Sequence, residues 1–128
     1  MTPDGISRGY FNLPWGQVHY RCAAAAQDGP LLLMLHQSPL SARNYDRVLP
    51  LLGAFCRPVA IDTPGYGGSD LPGRSWEVAD YADLVFAVAD RLGAPRFHLF
   101  GRATGTVFAL AAAMAHPQRL HSLTLHGL

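Results

Sequence analysis

The chain contains no lysine and carries little charge of either sign. All ten of its basic residues are arginine, the charged fraction is 15% and the formal net charge is +1. The arginines are scattered along the sequence, whereas a surface that binds nucleic acid needs a clustered basic stripe. This distribution argues against a nucleic-acid partner. The hydrophobic fraction of 49% argues equally against a disordered chain.

Cysteine and long apolar runs are also scarce. Cys22 and Cys56 are too few and too far apart for a disulfide scaffold or a Cys-x-x-Cys metal site, so we expect two reduced thiols and no metal. The longest apolar stretch, VFALAAAMA, is far short of the roughly 20 residues that a membrane helix needs. The N-terminal stretch MTPDGISRGY lacks the profile of a signal peptide. These features predict a soluble, cytoplasmic protein with no membrane partner.

The order of the predicted elements is typical of an α/β protein. Two extended runs broken at Pro14-Trp15-Gly16 predict an antiparallel strand pair at a sheet edge. The continuous apolar run PLLLMLH predicts a parallel strand that is covered on both faces. RPVAID, RFHLF and LHSLTLHGL predict three further strands, with helical segments between the strands. The order β-β-β-α-β-α-β-α-β predicts a single α/β domain over residues 1–128, with right-handed crossovers.

Residues that favour the start or the end of a helix flank the first two predicted helical segments. In ARNYDRVLPLLG, Ser41 is a candidate cap, and Pro50 is expected to kink or shorten the helix. SWEVADYADLVFAVADRLG is the clearest amphipathic helix, with Ser75 expected to cap it and Gly93 to end it. The segment TGTVFALAAAMAH predicts a largely buried helix.

Three short motifs follow three of the predicted strands at the same end of the sheet. LHQSP (residues 35–39) follows the third strand, DTPGYGGSD (62–70) the fourth and GRATG (101–105) the fifth. Ligands of α/β sheets bind beyond the carboxyl ends of the strands. A strand, a sharp Gly-x-X-x-Gly turn and a helix is also how many enzymes present a nucleophile at X. Here X is Ala103, whose methyl group cannot attack a substrate.

In this order, the three motifs resemble the α/β-hydrolase superfamily, from about residue 16 to the C-terminus. They are similar to its His-Gly-x-Pro oxyanion loop, its Asp-x-Pro-Gly-x-Gly-x-Ser loop and its Gly-x-Ser-x-Gly nucleophile elbow. The resemblance implies a mostly parallel sheet of the α/β-hydrolase type, truncated after about the sixth strand, and no cofactor. In the family the catalytic acid and histidine usually follow later in the chain. The chain therefore resembles the N-terminal half of a hydrolase that has an alanine at the nucleophile position.

The resemblance also implies an oxyanion hole made of two backbone N–H groups. By position these belong to Ser38 and Thr104. His36 is expected to stabilise this loop, in which Gln37 replaces the family's usual glycine. Two separate alternatives make Thr104 a displaced nucleophile or His36 a general base. The Thr104 side chain, however, is expected to point away from where Ala103 points.

Other residues of the three loops are expected to shape the turns. Gly101 and Gly105 meet the elbow's need for small residues on either side of the nucleophile. The family counterpart of Asp62 is mostly structural and supports the following glycine-rich turn. Tyr66 is a candidate pocket residue, and His126, near the end of the last strand, is a candidate base on the same rim.

Three functions are compatible with these motifs. The first is that of a serine hydrolase of esters or similar acyl substrates, inactive in this form because of Ala103 and the missing later positions. The second is a non-catalytic relative that binds a small apolar ligand or a protein partner. The third is a relative with cofactor-free chemistry that does not use the elbow serine. In each case the last strand, SLTLH, is expected to leave an unpaired sheet edge and to favour self-association.

Overall fold

The computed structural model describes residues 5–25 and 28–127, which form a sheet of six strands with helices on both faces. The strands are β1 (Ile6–Leu13), β2 (Gly16–Ala23), β3 (Leu31–Leu35), β4 (Arg57–Ile61), β5 (Phe97–Arg102) and β6 (Leu120–His126). The helices are α1 (Leu49–Leu52), α2 (Val78–Arg91) and α3 (Thr104–Ala115), with 3-10 turns at Ala42–Tyr45 and Pro117–Arg119. The predicted order of elements is confirmed.

The order of the strands across the sheet is β1-β2-β4-β3-β5-β6. β1 and β2 form the predicted antiparallel hairpin, and β2 pairs antiparallel with β4. The strands β4, β3, β5 and β6 are parallel to one another. Because β3 lies between β4 and β5, the three motif-bearing loops emerge side by side at one rim of the sheet. The mostly parallel α/β sheet predicted from the sequence is confirmed.

The apolar run of β3 sends its side chains to both faces of the sheet, as predicted. Leu33 and Leu35 join the larger core beneath α2 and α3, whereas Met34 joins a smaller core beneath α1. Leu33 and its register partner Leu99 in β5 are fully buried. Complete burial of a leucine side chain contributes about 1.5–3 kcal/mol, which makes this strand pair a main source of stability.

The ends of the first two helices differ in part from the prediction. Pro50 lies in the first turn of α1, which is only four residues long, so the predicted shortening is confirmed. Ser75 does not cap α2, which is a correction. The cap is Glu77, whose N–H donates to the Asp80 carboxylate at 2.8 Å while its backbone carbonyl accepts the N–H of Asp80 at 3.0 Å. This reciprocal pair satisfies two N–H groups at the start of the helix that would otherwise be free. Gly93, at φ 69°, ends the helix as predicted.

α3 is less buried than its composition predicts. Its small residues Gly105, Ala109 and Ala112 face the sheet, whereas Val107 and Met114 on the opposite face are 48% and 77% exposed. A helix that is apolar on all sides gives no periodic signal, so the sequence does not show which face is buried. Within the described ranges, no helix has both the length and the apolar character needed to cross a bilayer.

Candidate active site at the nucleophile elbow

A single residue, Ala103, connects β5 to α3. Its backbone angles are φ 51° and ψ −116°, a conformation that costs a non-glycine residue on the order of 1–3 kcal/mol. Hydrogen bonds hold it in place. Its N–H donates to the carbonyl of His126 at 2.9 Å, and its own carbonyl accepts the N–H and hydroxyl of Thr106 at 2.9 and 2.6 Å. The structure therefore has the strained strand–turn–helix geometry that a nucleophile elbow requires, with a methyl group at the turn.

The two glycines that flank the turn allow backbone segments to touch. A Cβ on Gly101 would overlap the carbonyl oxygen of Gly105 and lie 2.7 Å from its carbonyl carbon. A Cβ on Gly105 would lie 2.7 Å from the carbonyl oxygen of Leu35, at the end of β3. The first turn of α3 thus packs directly on β5 and on the start of the loop after β3. This contact explains why small residues are needed at both positions.

The structure brings Ser38 and Thr104 into direct contact. The N–H of Ser38 donates to the hydroxyl oxygen of Thr104 at 2.7 Å, although the two residues are 66 positions apart in the sequence. Thr104 is the first residue of α3, so its own N–H has no partner within the helix. The Thr104 side chain faces the loop after β3, and its hydroxyl accepts the Ser38 N–H, which is one of the two groups predicted for the oxyanion hole.

The bonds of His36 fix its tautomer. Its Nε2 accepts the backbone N–H of Thr63 at 3.0 Å, so its Nδ1 carries the proton and donates to the carbonyl of Gln37 at 2.8 Å. The ring is 1% exposed, and burial lowers its pKa below the usual value. His36 therefore connects the loop after β3 to the loop after β4 as a neutral group, and neither ring nitrogen is free to accept a substrate proton.

Acidification is expected to destabilise the chain partly through His36. Its pKa in the folded state lies below the value of about 6.5 that histidine has in an unfolded chain. As the pH falls through about 6.5, the unfolded state binds the proton first, so the free energy of unfolding decreases. Urea unfolding at about pH 7.5 and 5.5 should show a smaller pH effect in His36→Asn than in the parent. Equal pH effects in the two proteins would exclude this role.

Both carboxylate oxygens of Asp62 accept hydrogen bonds that hold the loop after β4 in place. One carboxylate oxygen accepts the N–H of Ala42 at 2.8 Å, and the other accepts the N–H of Gly68 and contacts His19 Nδ1, both at 2.9 Å. A Cβ on Gly67, which has φ 53°, would overlap this carboxylate. The buried Asp62 supports the turn, and no motif in the sequence pointed to its partner His19.

The remaining candidates lie on the same rim with different surroundings. The carbonyl of Gln37 accepts the N–H of Leu40 at 3.0 Å in addition to the His36 bond, so its contribution to the loop is through its backbone. The ring of Tyr66 lies edge-on to that of His36, with centroids 5.9 Å apart. His126 is exposed. Among the described residues, no three His, Cys, Asp or Glu side chains cluster closely enough to hold a metal ion.

The sheet order, the strained turn at Ala103 and the contacts among the loops after β3, β4 and β5 define an α/β-hydrolase-type protein. The family model described as "alpha/beta hydrolase fold" matches residues 30–128, and the chain belongs to this family. It is 35% identical over 115 residues to a fluoroacetate dehalogenase from a Burkholderia species, covering 86% of this chain and 38% of the dehalogenase. It is 32% identical to a 2-hydroxy-6-oxononadienedioate/2-hydroxy-6-oxononatrienedioate hydrolase from Cupriavidus pinatubonensis, covering 99% of this chain and 46% of the hydrolase.

Solved structures show the same fold. A membrane phospholipase A described as a bacterial virulence factor superposes with a TM-score of 0.87 at 29% identity, over 95% of this chain and 39% of the phospholipase. The haloalkane dehalogenase DbeA from Bradyrhizobium elkanii superposes with a TM-score of 0.84 at 30% identity, over 94% of this chain and 41% of the dehalogenase. The chain thus spans less than half the length of these relatives.

Proposed function

We propose that the elbow-centred rim binds a small acyl or apolar ligand and forms no covalent bond with it. The observation that carries this proposal is Ala103, which keeps the strained geometry of the elbow while its side chain offers no nucleophilic atom. The nearest alternative nucleophile, the Thr104 hydroxyl, accepts the Ser38 N–H and has no basic partner among the described residues. His36, the histidine of the adjacent loop, has both ring nitrogens engaged.

The ligand class follows from the chemistry of the rim. Thr104 supplies an N–H at the start of α3, and rotation of the Thr104 side chain would free the nearby Ser38 N–H. Two converging N–H groups suit a carbonyl oxygen, which is the group that an acyl compound presents. The relatives include hydrolases, and their names cover ester, dioate and halogenated substrates. An acyl ligand of low charge is therefore the class that we propose for this rim.

The proposal is tested by comparing binding with acylation. Butyramide, which is not hydrolysed at a useful rate, should shift the amide NMR signals of Ser38 and Thr104 in a saturable manner. With p-nitrophenyl butyrate, the intact mass of the protein should stay unchanged and no burst of p-nitrophenolate should appear. A gain of one butyryl group would contradict the absence of covalent chemistry. Unchanged Ser38 and Thr104 signals at saturating butyramide would contradict the ligand site.

We also propose that the chain self-associates through the face formed by β6 and α3. β6 is the last strand of the sheet in the part of the chain that the structure describes, and Met114 and Leu110 of α3 are exposed beside it. An unpaired strand edge next to an apolar surface favours association.

The substitution Met114→Glu should shift the chain towards monomer, because it places a charge in the middle of this exposed apolar surface. Phe55→Glu is the matched control, since Phe55 is 82% exposed, compared with 77% for Met114, but lies in the segment between α1 and β4. Light scattering over a range of protein concentrations should show a lower average mass for Met114→Glu alone. A parent chain that stays monomeric at all concentrations would refute the proposal.

A further inference from the structure

A cavity of about 470 Å³ lies outside the elbow, at the end of the rim where β1 turns into β2. Its walls come from this turn, from the loop that precedes α2 and from one face of α2. On that face, Asp80, Asp83, Leu84 and Ala87 follow the spacing of a single helical stripe. The volume is within the range of about 300–1,000 Å³ that small-molecule sites occupy. None of the lining residues belongs to the loop after β3 or to the elbow.

The aromatic wall of the cavity contains both tryptophans of the chain. Trp15 of the hairpin turn and Trp76 of the loop before α2 meet edge to face, with ring centroids 4.9 Å apart and planes at 75°. Trp76 also meets Tyr81 at 5.1 Å, which holds the ring in position. Both indoles are half-buried, so each keeps part of its surface open. The face of an indole attracts a cation more strongly than that of any other side chain.

The charges that line the cavity do not balance. Arg74 and Asp80 form a two-pronged ion pair at 2.7 and 3.0 Å, and the hydrogen bonds from Arg74 lower the pKa of Asp80 to about 2. These two residues therefore neutralise each other. Asp83 lines the same cavity, and its exposed carboxylate forms no ion pair or hydrogen bond with any residue that the structure describes. The cavity thus presents one uncompensated negative charge beside two indole rings.

We propose that this cavity binds an organic cation, namely an ammonium group attached to an apolar body. The ammonium group contacts Asp83 and the indole surface, and the apolar body fills the space beside Leu84. An anion is disfavoured, because Asp83 repels it and Arg74 is already engaged by Asp80. This inference goes beyond the proposed function, because it involves neither Ala103 nor the oxyanion loop.

The test uses pairs of probes that differ only in charge. Choline and its neutral carbon analogue 3,3-dimethylbutan-1-ol have the same shape, and benzyltrimethylammonium adds an apolar body. Because both tryptophans line the cavity, their fluorescence should report binding directly. Choline should bind at least threefold more tightly than the neutral analogue, and benzyltrimethylammonium should bind more tightly than choline. Equal affinity for choline and its neutral analogue, or tighter binding of benzoate than of benzyltrimethylammonium, would overturn the proposal.

Two variants and one matched control locate the site. Asp83→Asn keeps the shape of the side chain and should weaken choline binding by roughly twofold to fivefold, as expected for an exposed charge pair. Asp28→Asn is the matched control, since it removes the same charge beyond the opposite end of β2 and should leave the affinity unchanged. Trp15→Leu, followed by calorimetry, should weaken choline by a similar factor. If Asp83→Asn binds choline as tightly as the parent, the proposal is wrong whatever the Trp15 variant does.

Discussion

Replacing Gly101 with alanine is expected to lower the free energy of unfolding by about 3 kcal/mol or more. The added methyl group would overlap the carbonyl oxygen of Gly105 and lie 2.9 Å from the Cβ of Ala109. Neither neighbour can move aside easily, because one is backbone and the other is attached directly to the backbone of α3. The helix would have to lift off β5, which would break the packing that positions the elbow. Urea unfolding followed by circular dichroism measures the difference.

Gly73→Ala is the matched control for this substitution. No atom lies within 4 Å of the position that its Cβ would occupy, so the change should alter stability by no more than about 0.5 kcal/mol. Comparing the two variants separates steric overlap from the general effect of replacing a glycine. If Gly101→Ala unfolds at the same urea concentration as Gly73→Ala, then α3 does not pack on β5 as closely as described.

Restoring a hydroxyl at the elbow is expected to give only slight esterase activity. Ala103→Ser places a nucleophile on a turn that already has the required shape, but a serine hydroxyl attacks slowly unless a base removes its proton. His36 has no free nitrogen, and both carboxylate oxygens of Asp62 are engaged by Ala42, Gly68 and His19. Binding and oxyanion stabilisation alone leave at most on the order of 10³ over the uncatalysed rate. The initial rate with p-nitrophenyl acetate between about pH 6 and 9, relative to the Ala103 parent, tests this expectation.

Two further variants test whether any activity depends on the hydroxyl at position 103 and on His126. Ala115→Ser adds a hydroxyl at the exposed C-terminal end of α3 and should leave the rate at the level of the parent. His126→Ala in the Ala103→Ser background should have no effect if His126 is not a base. A large rate that rises with an apparent pKa near 6.5 would contradict the expectation. Loss of that rate in the His126 variant would identify the base.

The fold was predictable because its signals are local. The uninterrupted apolar run of β3, the break at Pro14-Trp15-Gly16 and the stop at Gly93 each result from the conformational preferences of a few adjacent residues. The cap of α2 was not predictable in this way. Ser75 is the better cap by residue type, but the helix starts later, where Glu77 and Asp80 bond reciprocally and Arg74 also binds the Asp80 carboxylate. The choice between Ser75 and Glu77 as cap thus involves Arg74 as well, which lies six residues before Asp80.

Part of the candidate site was also predictable from local sequence. The spacing of Gly101, Ala103 and Gly105 determined the presence of an elbow, because a strained turn and a close helix contact restrict side-chain size directly. The sequence also determined that this elbow has no nucleophile.

Only the tertiary structure decided which polar groups of the rim are engaged. The bond from Ser38 to Thr104, the neutral state of His36 and the cavity beside Asp83 each depend on segments that are distant in the sequence and adjacent in the sheet. Local preferences determine what a segment forms, whereas hydrogen-bond partners and unpaired charges depend on which segments meet. The chemistry of the rim is therefore a property of the folded sheet, and the order β4-β3-β5 is what brings its loops together.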